Sequence, residues 1–82
     1  MRLPRDLSGA ALAAALRRYG YEIMRQTGSH VRLTSTTKGA EHHITIPRHE
    51  HLRVGTLSGI LHDVARYLEI TRETLVQDLF GR

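Results

Sequence analysis

The segment YEIMRQTGSHVRLTST, residues 21–36, decides which fold this chain adopts. YEIMRQ and HVRLTST each predict a β-strand, and the TGS between them is typical of a tight turn. In the second strand, alternation puts Val31 and Leu33 on one face and His30, Arg32 and Thr34 on the other. The segment therefore predicts a β-hairpin with one apolar face and one polar face.

An amphipathic helix is predicted before the hairpin. Ser8 suits the N-cap position, and Gly20 is well placed to end the helix. Between them an apolar stripe repeats at helical spacing, formed by Leu12, Ala15, Leu16 and Tyr19. The chain thus enters the hairpin directly from a helix.

A third strand is predicted after the hairpin. TKGAE is typical of a second turn, and EHHITIP, residues 41–47, alternates so that Ile44 and Ile46 face the core. Pro47 ends the pairing, because proline has no N–H to donate to a neighbouring strand.

Two helices are predicted in the remainder of the chain. A loop, RHEHLRVG, leads to Thr56 as the expected N-cap of the first, and Thr71 is the expected N-cap of a last helix within residues 71–80. Their apolar stripes are Leu57, Ile60, Leu61, Val64 and Leu68 in the first, and Leu75, Val76, Leu79 and Phe80 in the second.

The order of these elements predicts an α+β fold. A helix, three antiparallel strands and two helices, each with one apolar face, pack most simply with all the helices on one face of an open sheet. At 82 residues the chain is expected to form one domain, residues 1–82.

Composition narrows the possible functions. The chain has no cysteine, which excludes disulfides, thiolate zinc sites and cysteine nucleophiles. The longest apolar run, GAALAAAL, is too short to span a membrane, and the start of the chain does not resemble a secretory leader, so a cytoplasmic protein is expected.

Charge indicates the kind of partner. The net charge is +4, and residues 1–60 carry nine lysines and arginines against four acidic residues. All the basic residues except Lys38 are arginines, whose forked guanidinium suits phosphate. A polyanionic partner is one interpretation, and ordinary solubility charge is the other.

His30 is the candidate for proton transfer. Histidine titrates near neutral pH, and His30 shares its strand face with Arg32 while Arg25 approaches from the adjacent strand. Arginines beside a histidine could hold a phosphodiester while a deprotonated ribose 2′-hydroxyl attacks its own phosphate, a reaction that needs no metal. The alternative is an exposed histidine that merely ends a turn.

The segment HHITIPRHEH, residues 42–51, holds four of the six histidines. His49 and His51 have the spacing of a metal pair, but no third or fourth ligand has a recognisable spacing, so no metal site is expected. His43 falls on the same face as Thr45 and His30, which favours a polar lining for a nucleic-acid surface. His62 is expected to be structural or merely exposed.

Several segments together resemble the HicA (YcfA-like) family of bacterial toxins. They are LSGAALAAALRRYGYEIMRQTGSHVRL, ITIPRH and VGTLSGIL, in the family's order and spacing, and they cover about residues 7–68. The final ITRETLVQDLF resembles the extra C-terminal helix that many members carry. The resemblance implies a double-stranded-RNA-binding-domain-like fold, ribonuclease activity on mRNA and neutralisation by a HicB-type antitoxin.

The resemblance also implies which histidine is catalytic, and our interpretation of the neighbouring residues follows from it. The catalytic histidine of its GSH motif is His30, here a general base that works without any cofactor. Arg25 and Arg32 would position phosphate, and Gly28 and Ser29 would shape the turn. The general acid stays open between His43, His49 and water. The residues expected to bind RNA are Arg25, Gly28, Ser29, Arg32, His43 and His49.

Two other functions stay compatible with the sequence. The chain could be a non-catalytic RNA-binding module on the same fold, using the same basic face. It could also be an interaction protein whose histidine-bearing face binds a protein partner and has no affinity for RNA.

Overall fold

The computed structural model describes residues 3–81. Within them the chain forms α1 (Gly9–Leu16), a 3-10 turn (Arg17–Tyr19), β1 (Glu22–Gln26), β2 (His30–Ser35), β3 (His42–Pro47), α2 (Val54–Leu68) and α3 (Arg72–Phe80). The predicted order of elements and the α+β class are confirmed. None of the helices in this part of the chain is long and apolar enough to cross a membrane.

The sheet has one covered face and one open face. Its order is β1-β2-β3, and both neighbours run antiparallel to the central β2. Val31 and Leu33 are buried while His30 and Arg32 are exposed, so the predicted alternation of β2 is confirmed. The helices pack against the face that carries Val31 and Leu33, which leaves the opposite face to solvent.

One apolar cluster joins all three helices to the sheet. Its fully buried aliphatic members are Leu12, Leu16, Leu33, Ile46, Leu57, Leu61, Val64 and Leu75. Burying one such side chain contributes about 1.5–3 kcal/mol relative to leaving it exposed. The apolar stripes of the sequence therefore supply most of the force that holds the helices on the sheet.

A bulge in β1 changes the register of the first hairpin. Ile23 lies opposite Leu33, but the next pair joins Arg25 to Arg32, so Met24 is an extra residue without a partner of its own. Inserting one residue shifts every later residue of the strand by one position relative to its partner. The bulge is therefore what places Arg25 opposite Arg32.

The start of α1 rests on the end of β3. Ser8 is the N-cap, as predicted, and its hydroxyl accepts a hydrogen bond from the Ala11 amide at 3.0 Å. The Gly9 amide donates to the His49 carbonyl at 2.9 Å. A β-carbon on Gly9 would overlap the Pro47 carbonyl, so only glycine allows the helix to approach β3 this closely.

The predicted N-cap of α2 is wrong. The helix begins at Val54 rather than after Thr56, and its N-cap, Arg53, makes no side-chain capping bond. Leu52 explains the earlier start, because it is buried and its amide donates to the Leu7 carbonyl at 2.8 Å. Packing of Leu52 fixes where the chain turns into the helix, and this outweighs the capping preference of Thr56.

The last helix is fastened to the end of α1 by polar contacts. Thr71 caps α3, as predicted. Arg18 forms an ion pair with Asp78 at 3.3 Å, and the Tyr19 hydroxyl donates to the same carboxylate. The Tyr19 hydrogen bond and the charge of Arg18 hold the pKa of Asp78 below its usual value, so this carboxylate stays ionised at neutral pH.

A second polar cluster lies at the end of the sheet where β3 begins. Tyr21 is fully buried, and its hydroxyl lies 2.7 Å from Nδ1 of His42, whose ring stacks on Tyr67 with centroids 4.7 Å apart. Burial raises the pKa of Tyr21 and lowers that of His42. The tyrosine therefore keeps its proton beside a neutral imidazole, and its hydroxyl donates a hydrogen bond to Nδ1 when that nitrogen carries no proton.

This cluster predicts a pH-dependent stability. Burial lowers the pKa of His42 below its ordinary value of 6.5, although the charge of Asp63 opposes the shift. Stability from the neutral ring is complete above pH 6.5 and is lost as the pH falls through the lowered pKa. In His42→Gln, which keeps a hydrogen-bond acceptor for Tyr21, the free energy of unfolding should fall less between about pH 7.5 and about pH 5.

Urea unfolding at the two pH values measures this difference. His62→Gln is the matched control, because His62 is exposed on α2 and should leave the pH dependence of the parent unchanged. An identical loss of stability in parent and His42→Gln would contradict the assignment.

Candidate active site and nucleic-acid interface

The turn between β1 and β2 is built around the Thr27 hydroxyl. This oxygen accepts hydrogen bonds from the amides of Ser29 at 3.3 Å and His30 at 3.0 Å. The Thr27 amide donates in turn to the His30 carbonyl at 2.9 Å. A threonine hydroxyl that bonds to nearby main-chain groups stabilises a tight turn, so the backbone at His30 is fixed even though the turn is exposed.

His30 presents one ring nitrogen to solvent. Its Nδ1 lies 2.8 Å from the Ser29 hydroxyl, and its side chain stands on the open face of the sheet. In a neutral imidazole, the hydrogen bond made by one ring nitrogen determines which of the two nitrogens carries the proton. When Nδ1 donates to Ser29, Nε2 keeps an unshared electron pair that faces solvent and can accept a proton.

The open face carries an arginine pair next to His30. Arg25 and Arg32 are directly opposite each other, and Arg32 also faces Thr45 on β3. Neither arginine lies within 4.0 Å of a carboxylate of the described residues. Like charges opposite each other destabilise a sheet, so this pair is suited to binding an anion rather than to stabilising the fold.

Sequence reasoning did not identify Arg48 as part of the site. Its amide donates to the Ser29 carbonyl at 2.8 Å, and its Nη1 donates to the Thr27 carbonyl at 2.7 Å. Arg48 therefore contacts the turn on both sides of Gly28. The signals in the sequence were its position just after Pro47 and its place in the ITIPRH segment, and neither reveals a contact with Thr27, whose separation in sequence is 21.

Gly28 does not have the role in the turn that we expected. Its φ is not in the left-handed region, and a β-carbon there would meet no atom within 4 Å. The conformation of the turn is therefore open to other residues, and glycine is not required to shape it. What glycine does provide is a bare backbone beside His30, over which a ligand can approach closely.

The two candidates for a general acid lie in different surroundings. His43 is on the open face, opposite Thr34, and so is four residue pairs along the sheet from the pair that contains His30. Its Nδ1 lies 2.7 Å from the Thr34 hydroxyl and its Nε2 lies 3.5 Å from Glu41. The His49 carbonyl accepts from Gly9, and its exposed side chain makes no hydrogen bond within residues 3–81.

No metal centre is formed by the described residues. Among residues 3–81, no group of three or more histidines, cysteines, aspartates and glutamates has the geometry to hold a metal ion. His51 is instead 3.7 Å from the carboxylate of Asp6. His42 and His43 point to opposite faces of β3, since one is half-buried beside Tyr21 and the other is exposed.

Replacing one arginine of the pair should affect stability and binding in opposite directions. Arg32→Thr removes the repulsion and adds a good strand residue, so the free energy of unfolding should rise by about 0.2–1 kcal/mol. Affinity for single-stranded RNA should fall, and the slope of log K against log salt should become shallower by about 0.7. Arg66→Gln on α2 removes the same charge elsewhere and should leave both quantities nearly unchanged.

Urea unfolding and fluorescence anisotropy at several salt concentrations measure the two effects. An Arg32→Thr protein that binds RNA with the parent's salt dependence would show that this face does not contact phosphate.

One protein family matches most of the chain. The family described as HicA toxin of bacterial toxin–antitoxin matches residues 9–65, which run from α1 through the three strands into α2. No curated protein and no solved structure matches the chain. Because the matched region covers most of the chain and contains the Thr27–Arg48 site, the chain belongs to the HicA family of toxins of bacterial toxin–antitoxin systems.

Proposed function

We propose that this toxin is an endoribonuclease that cleaves mRNA in the bacterial cytoplasm, with His30 as its catalytic base and no metal cofactor. The observation that carries the proposal is the exposed His30, held through Nδ1 by Ser29 and lying next to two arginines that have no carboxylate within 4.0 Å among residues 3–81. Membership of the toxin family supports an activity that harms the cell. The whole of residues 1–82 would then form one toxin domain, with residues 7–68 as its core and α3 as an addition.

The proposed reaction uses the RNA's own hydroxyl group. Nε2 of His30 takes the proton of a ribose 2′-hydroxyl, and the freed oxygen attacks the adjacent phosphorus. The bond from phosphorus to the 5′-oxygen breaks, and that oxygen takes a proton from water or from a histidine. The products are a 2′,3′-cyclic phosphate and a 5′-hydroxyl end.

The arginines would act on the phosphate. Arg25 and Arg32 offer forked N–H groups that suit the non-bridging oxygens, where negative charge increases as the fifth bond to phosphorus forms. Gly28 gives the RNA strand room to approach, and Ser29 fixes the ring of His30. His43 and His49 would extend the same surface along the RNA.

The rival function is an RNA-binding module without catalysis. It would use the same exposed arginines and histidines, and it would explain the basic face equally well. The two functions differ at His30, because a binding module needs only the shape and hydrogen bonds of the ring, whereas a nuclease needs the ring to take up a proton.

His30→Ala tests the proposed chemistry. Cleavage of RNA should fall by about 10²–10⁴-fold, the usual effect of removing a positioned acid–base group. The protein should still fold, because substitutions at exposed positions seldom cost more than about 0.5 kcal/mol. Expression in bacteria, followed by growth curves and by RNA integrity on gels, measures the effect, and cleavage by the purified parent should persist in EDTA.

His62→Ala is the matched control, since His62 is equally a surface histidine but lies on α2. If His30→Ala cleaved RNA as fast as the parent, the protein would be a nuclease with another base. Activity lost in EDTA and restored by one divalent ion would establish a metal-dependent reaction instead.

The toxin should be inhibited by an antitoxin that covers its open face. We propose a HicB-type protein that presents acidic or polar groups to Arg25 and Arg32 and excludes RNA from His30. Association should be faster at low salt, because charge steering is screened over about 8–10 Å at physiological ionic strength. Arg32→Glu should therefore weaken both RNA and antitoxin binding.

Hydrogen exchange on the toxin–antitoxin complex locates the covered surface. Slowed exchange in β2 is expected. Protection confined to α2 and α3, with β2 exchanging as in the free toxin, would show that inhibition acts at a distance from His30.

A further inference from the structure

Arg48 connects the end of β3 to the turn that carries His30. Its main-chain amide donates to the Ser29 carbonyl at 2.8 Å, and its guanidinium Nη1 donates to the Thr27 carbonyl at 2.7 Å. The two contacts lie on either side of Gly28. The main-chain contact extends the pairing of β2 with β3 by one residue beyond His30 and Pro47.

The turn leaves one acceptor available for this side chain. In a tight hairpin the amide of the last turn residue commonly donates to the carbonyl of the first. Here the His30 amide donates to the Thr27 hydroxyl instead, at 3.0 Å. The Thr27 carbonyl is thereby released from the hairpin, and Arg48 binds it.

The same contacts lead to the imidazole ring. Ser29 is held at its carbonyl by Arg48 and at its amide by the Thr27 hydroxyl. Its own hydroxyl lies 2.8 Å from Nδ1 of His30. A shift of the Thr27–Ser29 segment would therefore move the hydroxyl that holds Nδ1 and with it the direction of the ring.

We propose that Arg48 is a positioning residue: it clamps the turn through the carbonyls of Thr27 and Ser29, so that Ser29 holds Nδ1 of His30 and Nε2 faces the substrate. The proposal rests on the function proposed above, in which His30 is the base.

The clamp matters because His30 lies on an open surface. The side chain is exposed, so its orientation is set by the turn rather than by a surrounding pocket. A hydrogen bond from an exposed arginine adds little to the stability of the fold. The reaction rate is far more sensitive to the position of His30, since misplacing a reacting group by about 1 Å can lower the rate about 10²-fold.

Arg48 also carries a charge on a basic surface, so the test must separate position from charge. Arg48→Ala removes both the charge and the side-chain hydrogen bond to the Thr27 carbonyl. Arg48→Lys keeps the charge but replaces the planar guanidinium by an ammonium group. Arg66→Gln is the control for lost charge, because Arg66 is an exposed residue of α2.

Nitrogen-15 NMR of the imidazole rings provides a readout that needs no RNA. In the intact parent chain, the Nδ1 and Nε2 shifts of His30 should indicate one dominant tautomer with Nδ1 protonated. In Arg48→Ala they should move toward the mixture of tautomers of a free histidine, as they should in Ser29→Ala. Arg66→Gln should reproduce the parent spectrum, and all three variants should keep its melting temperature within a few degrees.

Cleavage kinetics provide the second readout. Arg48→Ala should lower kcat by about 10-fold or more, whereas a loss of charge alone would raise KM and leave kcat unchanged. Arg48→Lys should recover KM but only part of kcat.

Two results would overturn the proposal. One is a His30 spectrum in Arg48→Ala that matches the parent, and the other is full recovery of both kinetic constants in Arg48→Lys. A parent protein that does not cleave RNA would refute the proposed nuclease, but the NMR comparison would still decide whether Arg48 positions His30.

Discussion

The one-sided packing of the sheet is the constraint on which the rest of the structure depends. Three strands and three helices of this length bury only one face of the sheet, where Leu33 and Ile46 meet Leu12 and Leu61. Strand alternation then forces every second residue of β2 and β3 into solvent. The side chains proposed above to carry the chemistry, first of all His30, are exposed because their neighbours are buried.

Alternation and helical periodicity account for what could be predicted from the sequence. They depend on the local chain alone, and they placed His30 and Arg32 on the open face and Leu57 in the core. The N-cap of α2 was missed because burial of Leu52 decides it, and that is a tertiary effect. Arg48 was missed because its contact with Thr27 joins segments that are distant in sequence, and no periodicity records such a contact.

The arginine pair on the open face differs in its electrostatics from the contact between the 3-10 turn and α3. At that contact, Arg18 forms an ion pair with Asp78, and the Tyr19 hydroxyl donates a hydrogen bond to the same carboxylate. On the open face, Arg25 and Arg32 lie opposite each other without a carboxylate within 4.0 Å in the described part of the chain. The fold thus accepts repulsion between Arg25 and Arg32, where an anion can relieve it, whereas Arg18 and Asp78 attract each other.

An open site has fewer means of controlling a proton-transfer group than a buried one. Burial shifts the protonation of His42, which lies against Tyr21 and Tyr67, but the same means is not available at an exposed position. Direct hydrogen bonds remain, and at His30 they come from the adjacent Ser29 and, through the turn, from Arg48. What these hydrogen bonds control is the direction of the ring, which places the important interactions in the backbone of the turn rather than in a surrounding pocket.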